Sequence, residues 1–302
     1  MANQPLLEVL TLLLKLFLAY LEAIYRLFVP IPPKSIKGKI VLVTGSGQGI
    51  GRELAYCFSK HGAKLVLWDI NKEGNEDTQR EIQNRGGFAK AYVCDVTNYE
   101  VVKKVAAQVR QDVGDVDILV NNAGVMHVND ILRQEERKIR QTMELNIIAH
   151  FWTIKEFLPK MMENNSGHIV SISSMAGRVG TPLLTDYCAS KFAVVGMTEA
   201  LSEEMRRYGK TGIHTTTVCP LFVNTNLVHG LDSSIGWNPG KDGMMEPDFV
   251  ANEVVEGTRR NQRFVYVPKK YSASRVLAVL LPFKAQLLLR DANQAGFFYT
   301  GK

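Results

Sequence analysis

Short runs of β-branched and aliphatic residues alternate with charged helical stretches along most of the chain, and this alternation restricts the fold more than any other feature. The apolar runs read KIVLVT, KLVLWD, KAYVCD, VDILVN, HIVSIS, IHTTTVCP and RFVYVP. Apolar strands separated by helices form βαβ units, in which helices cover both faces of a parallel sheet. The sequence therefore predicts an α/β fold with a doubly wound parallel sheet.

A glycine-rich turn joins the first strand of this pattern to its first helix. In the stretch IVLVTGSGQGIGRELA the glycines lie directly between strand and helix, the context that gives such a pattern weight. Glycines there permit a tight turn close to a pyrophosphate, and a helix beginning near Ile50 offers unpaired N–H groups and a positive dipole end. The cofactor-binding residues predicted in this turn are Gly45, Ser46, Gly49, Ile50 and Gly51.

Acidic residues end the second and third strands. Asp69 follows the glycines by about twenty residues, the spacing at which a carboxylate hydrogen-bonds an adenosine ribose. Because this carboxylate would repel a 2′-phosphate, we expect NAD rather than NADP; a solvated strand-end aspartate is the alternative. Asp95, followed by Val96, either meets the adenine amino group or is an ordinary turn residue.

The fourth strand ends in the sequence NNAG, Asn121 to Gly124. A turn of small and polar residues at the carboxyl end of a parallel strand lines the ligand crevice of such a sheet. An ordinary asparagine-rich turn is the alternative, but it does not explain two asparagines closing a buried strand. We therefore expect Asn122, Ala123 and Gly124 to contact the cofactor.

The sequence SISSMAG ends the fifth strand, and YCASK follows in a helical region. Tyr187 and Lys191 are four residues apart, so on a helix they share a face. A neighbouring ammonium, and a positively charged nicotinamide, would lower the pKa of Tyr187 from its usual value of about 10. The phenolate could then take the proton of a substrate hydroxyl while hydride leaves the carbon, with Ser174 holding the same oxygen. A Tyr/Lys pair on a helix surface is the alternative.

Together these motifs resemble the short-chain dehydrogenase/reductase family. The residues that carry the resemblance are Thr44, Gly45, Gly49, Ile50, Gly51, Asn121 to Gly124, Asn146, Ser174, Tyr187 and Lys191, in the family's order and spacing. The resemblance covers about residues 39–268. It implies a Rossmann-type domain with a seven-stranded parallel sheet.

The resemblance also implies roles for individual residues. Tyr187 would be the acid/base, Ser174 would orient the substrate, and Lys191 would bind the nicotinamide ribose and lower the pKa of Tyr187. Asn146 would hold a water that continues the proton relay. Ser173 is a rival for the serine role, but the usual gap of thirteen residues to the tyrosine favours Ser174.

One position departs from the family pattern. The family often has Pro-Gly after the sixth strand, whereas this chain has CPLFVNT, with Pro220 kept and Leu221 in place of glycine. Val223 and Thr225 still stand where backbone and hydroxyl would meet the nicotinamide carboxamide. The departure concerns the local turn and leaves the expected cofactor unchanged.

Four stretches narrow the resemblance to the membrane- and lipid-droplet-associated 17β-hydroxysteroid dehydrogenases and the epidermal-type retinol dehydrogenases. They are FVPIPPKSIKGKIVLVTG, LVLWDINKEGNE, GDVDILVNNAG and CPLFVNT. That subgroup implies NAD(H), a lipophilic retinoid or steroid alcohol, and a cytosol-facing domain on endoplasmic reticulum or droplets.

The family implies a homodimer through helices around Asn129–Glu163 and Asp186–Tyr208. A catalytically weak coat protein and a nucleotide-sensing regulator are alternatives, which the intact Ser174, Tyr187 and Lys191 disfavour.

Charge, cysteine spacing and histidine spacing argue against a nucleic-acid interface, a redox-active cysteine pair and a metal site. The net charge is +6, but there is no long Lys/Arg run and no nucleic-acid motif, so we expect no nucleic-acid partner. The four cysteines form no C-x-x-C pair and read as reduced, mostly buried thiols. The six histidines form no cluster, so no metal site is expected.

The N-terminal residues predict a membrane-associating helix over residues 1–30. On a helix Glu8, Lys15 and Glu22 line up, and Arg26 falls near the same line, within an otherwise apolar surface. A helix lying in one leaflet with this stripe towards the headgroups avoids burying four charges, although the length would also allow a span.

The remaining boundaries follow from composition. Residues 31–38 form a linker, 39–268 the catalytic domain and 269–302 a C-terminal extension, in which VLAVLLPFKAQLLL is expected to be a second membrane contact. The stretch Asn226 to Pro247 is either a substrate lid carrying Trp237, Met244 and Met245 or a plain mobile loop.

Overall fold

The computed structural model describes residues 4–229, 235–239, 243–272, 281–293 and 296–299. The chain divides into two compact units, Met1–Lys34 and Ser35–Lys302. The first unit contains one helix, α1 (Gln4–Phe28), whose apolar side chains from Leu7 onward are largely exposed. Near its end, Arg26 pairs with Glu22 at 3.6 Å between Nη2 and Oε1. Within the described ranges, no helix is both long and apolar enough to span a bilayer.

The second unit is built on a parallel sheet. The strands are β1 (Ile40–Thr44), β2 (Lys64–Asp69), β3 (Phe88–Val93), β4 (Ile118–Asn121), β5 (Gly167–Ile172), β6 (Ile213–Pro220), β7 (Ile235–Asn238), β8 (Phe264–Val267) and β9 (Gly296–Tyr299). Over the described residues, seven of them form one sheet in the order β3-β2-β1-β4-β5-β6-β8, and every pairing is parallel. This confirms the predicted Rossmann-type sheet.

Helices connect the strands. They are α2 (Gly49–Lys60), α3 (Lys72–Asn84), α4 (Tyr99–Asp112), α5 (Glu136–Met143), α6 (Ala149–Asn164), α7 (Thr185–Arg207), α8 (Asn226–His229), α9 (Pro247–Arg259) and α10 (Phe283–Asn293). A π-helical turn, Glu144–Ile148, precedes α6. Two starts are fixed by local capping, because the side chains of Asn71 and Asn98 accept backbone N–H groups of α3 and α4.

The central strands β1, β2 and β4 are mostly apolar because the sheet is buried on both faces there. Val43 packs with Leu54 of α2 in one core cluster, whereas the adjacent Leu42 packs with Leu119 and Phe157 in another. Successive residues of a strand point to opposite faces of the sheet. A sheet that is covered by helices on both faces therefore needs apolar residues at consecutive positions of its strands. All four cysteines lie among the described residues, where they are buried and form no disulfide.

The segment after β6 is partly ordered by pairing. Val223 and Met245 form a β-bridge, and Met245 is a core residue packed with Val223, so it does not cover the substrate side. Trp237 lies in β7, which pairs antiparallel with β9. The apolar stretch VLAVLLPFKAQLLL near the C-terminus covers residues 276–289. Residues 276–280 lie outside the described residues, and α10 begins at Phe283 within the remainder.

Candidate active site

A cavity of about 1560 Å³ lies at the carboxyl ends of the strands of the main sheet. Its lining includes the ends of β1 and β4, between which the strand order reverses. In open α/β sheets this switch point is where ligands bind. The cavity has two parts of different character: a polar end at the glycine turn and an apolar end beyond α7.

The glycine turn has no room for side chains. Gly45 has φ +67°, and a Cβ there would lie 2.9 Å from the Ala123 Cα. A Cβ at Gly51 would lie 2.0 Å from the carbonyl oxygen of Gly45. The first turn of α2 therefore packs directly on the end of β1, and a ligand can approach the backbone closely.

The start of α2 faces the cavity with its N–H groups open. Gln48 occupies the N-cap, but its side chain does not bond to the first-turn N–H groups. Its Oε1 instead accepts a 3.0 Å hydrogen bond from Asn226 Nδ2. Since Gln48, Gly49 and Ile50 all line the cavity, this helix end offers a diphosphate both free donors and a positive dipole end.

Asp69 lies beside this turn. Its Oδ2 accepts a 2.8 Å hydrogen bond from Gly47 N, and its Oδ1 accepts one of 2.8 Å from Asn71 N. The carboxylate is thus held at the edge of the cavity, where a ribose bound beyond the diphosphate would reach it. Ser46, by contrast, is fully buried, and its hydroxyl donates to Asn75 Oδ1 at 2.7 Å. Ser46 was predicted to bind the cofactor, but it connects the turn to α3 and is not among the residues that line the cavity.

Asp95 and Val96 line the same end of the cavity. Asp95 Oδ1 accepts hydrogen bonds from Thr97 N at 3.0 Å and from Thr97 Oγ1 at 2.6 Å. Asp95 is therefore a turn residue, which is one of the two roles that the sequence left open for it. Its place in the lining is compatible with a cofactor contact as well.

Thr44 ties the ends of β1 and β4 together. Its hydroxyl oxygen accepts from the backbone N–H groups of Asn122 at 2.9 Å and Ala123 at 3.0 Å. Asn122 Nδ2 returns a 2.8 Å hydrogen bond to the Thr44 carbonyl. Asn122, Ala123 and Gly124 all line the cavity. The motif residue Thr44 thus positions the NNAG turn.

Ser174, Tyr187 and Lys191 converge on the middle of the cavity. The Lys191 Nζ lies 5.5 Å from the centroid of the Tyr187 ring and donates a 3.0 Å hydrogen bond to the Ile172 carbonyl. Ser174 follows β5, and its Oγ accepts from Ala176 N at 3.1 Å. The rival Ser173 is buried and donates to the Lys191 carbonyl at 2.9 Å, which fastens α7 to the sheet.

Burial controls the protonation of both helix residues. It raises the pKa of Tyr187 to about 12, while a hydrogen bond with Ser174 acts in the opposite direction. Burial lowers the pKa of Lys191 to about 8, and the nearby Cys219 thiol acts against that shift. The lowered tyrosine pKa expected from the sequence is therefore not found in the protein alone, because burial raises this pKa more than the hydrogen bond with Ser174 lowers it.

Asn146 lies in the π-helical turn and is fully buried. Its Oδ1 accepts from Val125 N at 2.8 Å, and its Nδ2 donates to the Val125 carbonyl at 2.9 Å and to Ser190 Oγ at 3.1 Å. The side chain predicted to hold a water is thus bonded to the protein. It fastens the segment after the NNAG turn to α7.

The turn after β6 forms despite the missing glycine. Leu221 N donates a 2.9 Å hydrogen bond to the Val267 carbonyl, and its side chain packs against the core. Pro220, Val223 and Thr225 line the cavity. The departure from the family pattern therefore leaves these three residues in the lining of the cavity.

The apolar end of the cavity surrounds Tyr187. Its buried neighbours are Ala176, Leu184, Cys188 and Phe297, with Met126, Val128, Leu183, Phe222, Ile235 and Trp237 packed against them. Sequence patterns did not reveal Phe222 or Phe297 as site residues, because no motif marks them and Phe297 follows Tyr187 by 110 residues (297 − 187). Leu287 and Leu289 of the C-terminal extension also line the cavity.

A comparison with known families supports the motifs. The family model described as short chain dehydrogenase matches residues 39–235, about two thirds of the chain. The chain belongs to the short chain dehydrogenase family. Estradiol 17-beta-dehydrogenase 11 of Pongo abelii is 42% identical over 285 residues, covering 94% of this chain and 93% of the relative. Human 17-beta-hydroxysteroid dehydrogenase 13 is 42% identical over 292 residues, covering 97% and 95%.

These relatives confirm the predicted subgroup, and this short chain dehydrogenase is an oxidoreductase related to the 17β-hydroxysteroid dehydrogenases. Among solved structures, a short chain dehydrogenase/reductase from Burkholderia phymatum in complex with NAD is similar, with a TM-score of 0.73 and 25% identity. The similarity covers 80% of this chain and 93% of that chain.

Proposed function

We propose that this short chain dehydrogenase is an NAD-dependent enzyme that interconverts a lipophilic alcohol, a 17β-hydroxysteroid or retinol, and its carbonyl product. The observation that carries the proposal is the meeting of Ser174, Tyr187 and Lys191 in one cavity, between the open end of α2 and an apolar wall. The 17β-hydroxysteroid dehydrogenase relatives support an alcohol of steroid type.

The polar end of the cavity fits NAD. The open N–H groups of α2 suit the diphosphate, and the Asp69 carboxylate suits an unphosphorylated ribose. Lys191 would hold the nicotinamide ribose, and Val223 and Thr225 its carboxamide. When bound, NAD accepts a hydride from the carbinol carbon or, as NADH, returns one. The NAD-bound Burkholderia phymatum relative supports this choice.

Tyr187 supplies the proton transfer. In the direction of oxidation its phenolate takes the alcohol proton, and in reduction its phenol gives a proton to the carbonyl oxygen. Ser174, whose hydrogen bond already favours the phenolate, would hold the substrate oxygen. Lys191, with a pKa of about 8, is mostly protonated at neutral pH and favours the phenolate.

The test is NADH formation by the purified full chain in detergent, with estradiol and with retinol as separate substrates. We expect turnover of at least one, and none by a Tyr187→Phe protein prepared in the same way. If neither substrate, nor any of a panel of lipophilic alcohols, gives NADH, the alternative of a coat protein that retains the fold is favoured.

We further propose that the protein lies on endoplasmic reticulum or lipid droplets with its catalytic domain towards the cytosol. The exposed apolar surface of α1 supports this, as does exposure of Phe283 and Leu288 on α10, which would be the second contact. Burying such apolar surface in a lipid interface is favourable.

We also propose a homodimer through α6 and α7. Phe151 on α6 and Phe192 on α7 are both more than a third exposed, and their burial between two copies of the chain would be favourable. Charged substitution of both, Phe151→Glu with Phe192→Glu, should give a monomer in light scattering. A dimer that persists would place the interface elsewhere.

A further inference from the structure

Phe297 is part of the wall around Tyr187, although it lies near the end of the chain. It is 5% exposed and belongs to the same buried cluster as Tyr187, Leu184 and Cys188. Its ring centroid is 5.7 Å from that of Phe222, with an interplanar angle of 69°. Both phenylalanines line the cavity. An edge-to-face aromatic pair of this kind makes a rigid apolar surface beside the proposed acid/base.

A two-stranded sheet holds Phe297 in place. In the antiparallel pairing of β7 with β9, Trp237 is directly opposite Phe297, and Gly236 is opposite Phe298. Alternate residues of a strand point to opposite faces, so Phe297 and Trp237 share the face that packs in the Tyr187 cluster, whereas Phe298 lines the cavity from outside this cluster. Phe298 is 51% exposed, and its ring lies so close to Gly236 that a Cβ there would be 2.4 Å from it.

The strand β9 lies beyond residues 39–235, which the family model matches. The glycine turn, Ser174, Tyr187 and Lys191 all fall inside that range, as does Phe222, so Phe297 is the part of this wall that the family model does not match. A part of the site outside the shared region is free to differ among enzymes that perform the same chemistry.

We infer that Phe297 is a specificity-determining residue, which selects alcohols whose hydrocarbon part extends from the carbinol carbon as a flat ring or chain. The inference rests on the proposed alcohol dehydrogenase function of the same site. A ring or chain beyond the reacting carbon would pack on the Phe222–Phe297 surface. A small alcohol would react at Tyr187 without touching it.

The probes are cyclohexanol and 4-phenylcyclohexanol, which present the same reacting carbon and differ by one phenyl ring. The quantity measured is the ratio of kcat/KM for the phenyl compound to that for cyclohexanol, in the full-length protein in detergent. Phe297→Ala should lower this ratio by at least about tenfold, because lost apolar contact in a pocket has effects of that size. Phe249→Ala, the same change at an exposed phenylalanine of α9 that is not among the residues lining the cavity, should lower it by less than about threefold. Retained NADH binding, followed by fluorescence, shows that both variants are folded.

An unchanged ratio in Phe297→Ala, or equal changes in both variants, would overturn the inference. If the wild-type protein oxidises neither alcohol, the wall is judged by equilibrium binding of 4-phenylcyclohexanol, and the proposed function is judged separately by NADH formation with estradiol and retinol. Binding weakened about tenfold in Phe297→Ala but not in Phe249→Ala supports the apolar wall. Equal binding by the wild-type protein and Phe297→Ala refutes it.

Discussion

The Lys191 Nζ lies 5.5 Å from the centroid of the Tyr187 ring, yet burial raises the pKa of that tyrosine to about 12. One ammonium, whose own pKa burial lowers to about 8, does not compensate for the lost solvation of a phenolate. In the protein alone Tyr187 is therefore a phenol, ready to give a proton. To take one, it needs the further positive charge that an oxidised nicotinamide would bring.

Replacing Tyr187 with phenylalanine should abolish turnover without disturbing the fold. The variant loses only the hydroxyl that moves the proton, and general acid–base catalysis is typically worth about 10²–10⁴-fold. We expect kcat to fall by at least about a hundredfold, with NADH affinity unchanged by fluorescence titration. A variant that keeps more than about a tenth of wild-type turnover would mean that another group transfers the proton.

The two directions of the reaction should respond differently to pH. Alcohol oxidation needs the phenolate. Because burial raises the pKa of Tyr187 to about 12, the phenolate is the minor form near neutral pH, and its fraction increases as pH rises. The kcat/KM for oxidation should therefore increase from about pH 6 to about pH 8. Carbonyl reduction uses the phenol and should be flat over this range. Above the Lys191 pKa of about 8, loss of the ammonium should reduce the slope for oxidation. Oxidation independent of pH throughout would contradict this assignment.

The two adjacent serines should differ in their effect on turnover. Ser174→Ala removes the hydroxyl beside Tyr187, and we expect a loss of about a hundredfold in kcat, together with about 1 kcal/mol of stability from the lost hydrogen bond with Ala176 N. Ser173→Ala removes the buried hydrogen bond to the Lys191 carbonyl, and we expect a loss of about 1 kcal/mol in the free energy of unfolding. Kinetics and thermal denaturation of both variants provide the comparison. A larger loss of kcat in Ser173→Ala would mean that Ser173, and not Ser174, holds the substrate oxygen.

Asp69 should set the preference for NAD. Its two oxygens are held by Gly47 N and Asn71 N, which fixes the carboxylate where a 2′-phosphate would be repelled. Asp69→Asn keeps the size and removes the charge, and Asp69→Ser removes both. In each, the ratio of kcat/KM for NAD to that for NADP should fall at least about tenfold. If neither ratio changes, the carboxylate does not face the ribose.

Local patterns predicted the fold and the polar half of the site because both depend on short stretches of chain. The strand pattern follows from a sheet buried on both faces, and Gly45 and Gly51 are required by close backbone contacts within one turn. The apolar half depends on pairing between distant segments, as between Trp237 and Phe297, which no local pattern encodes. The side-chain direction of Ser46 likewise depends on its partner Asn75 in α3.

The pKa of Tyr187 could not be predicted from the sequence for a related reason. The four-residue spacing to Lys191 is visible in the chain, and it predicts a favourable charge. Burial of the phenol by Leu184 and Phe297 is a property of the packed structure, and it acts in the opposite direction.

The last prediction concerns α1, in which Glu8, Lys15, Glu22 and Arg26 fall close to one line because each residue turns about 100°. Leu13, two residues before Lys15, is on the opposite side and exposed. If the helix lies in one leaflet with its charges outward, Leu13→Glu should weaken membrane binding at least about tenfold, since burying a carboxylate in lipid is costly. Lys15→Gln, on the charged line, should have little effect. Flotation with microsomes or droplets measures both.

Two further variants of the same helix distinguish a helix that lies on the membrane from one that spans it. Deleting residues 1–30 should release much of the protein and reduce activity on a membrane-dissolved alcohol more than on a soluble one. A glycosylation acceptor placed before Leu6 should stay unmodified in the endoplasmic reticulum, because a helix in one leaflet keeps its N-terminus on the cytosolic side. A modified acceptor would mean that the N-terminus is lumenal and the helix spans, in which case the Glu22–Arg26 pair would have to reach an interface.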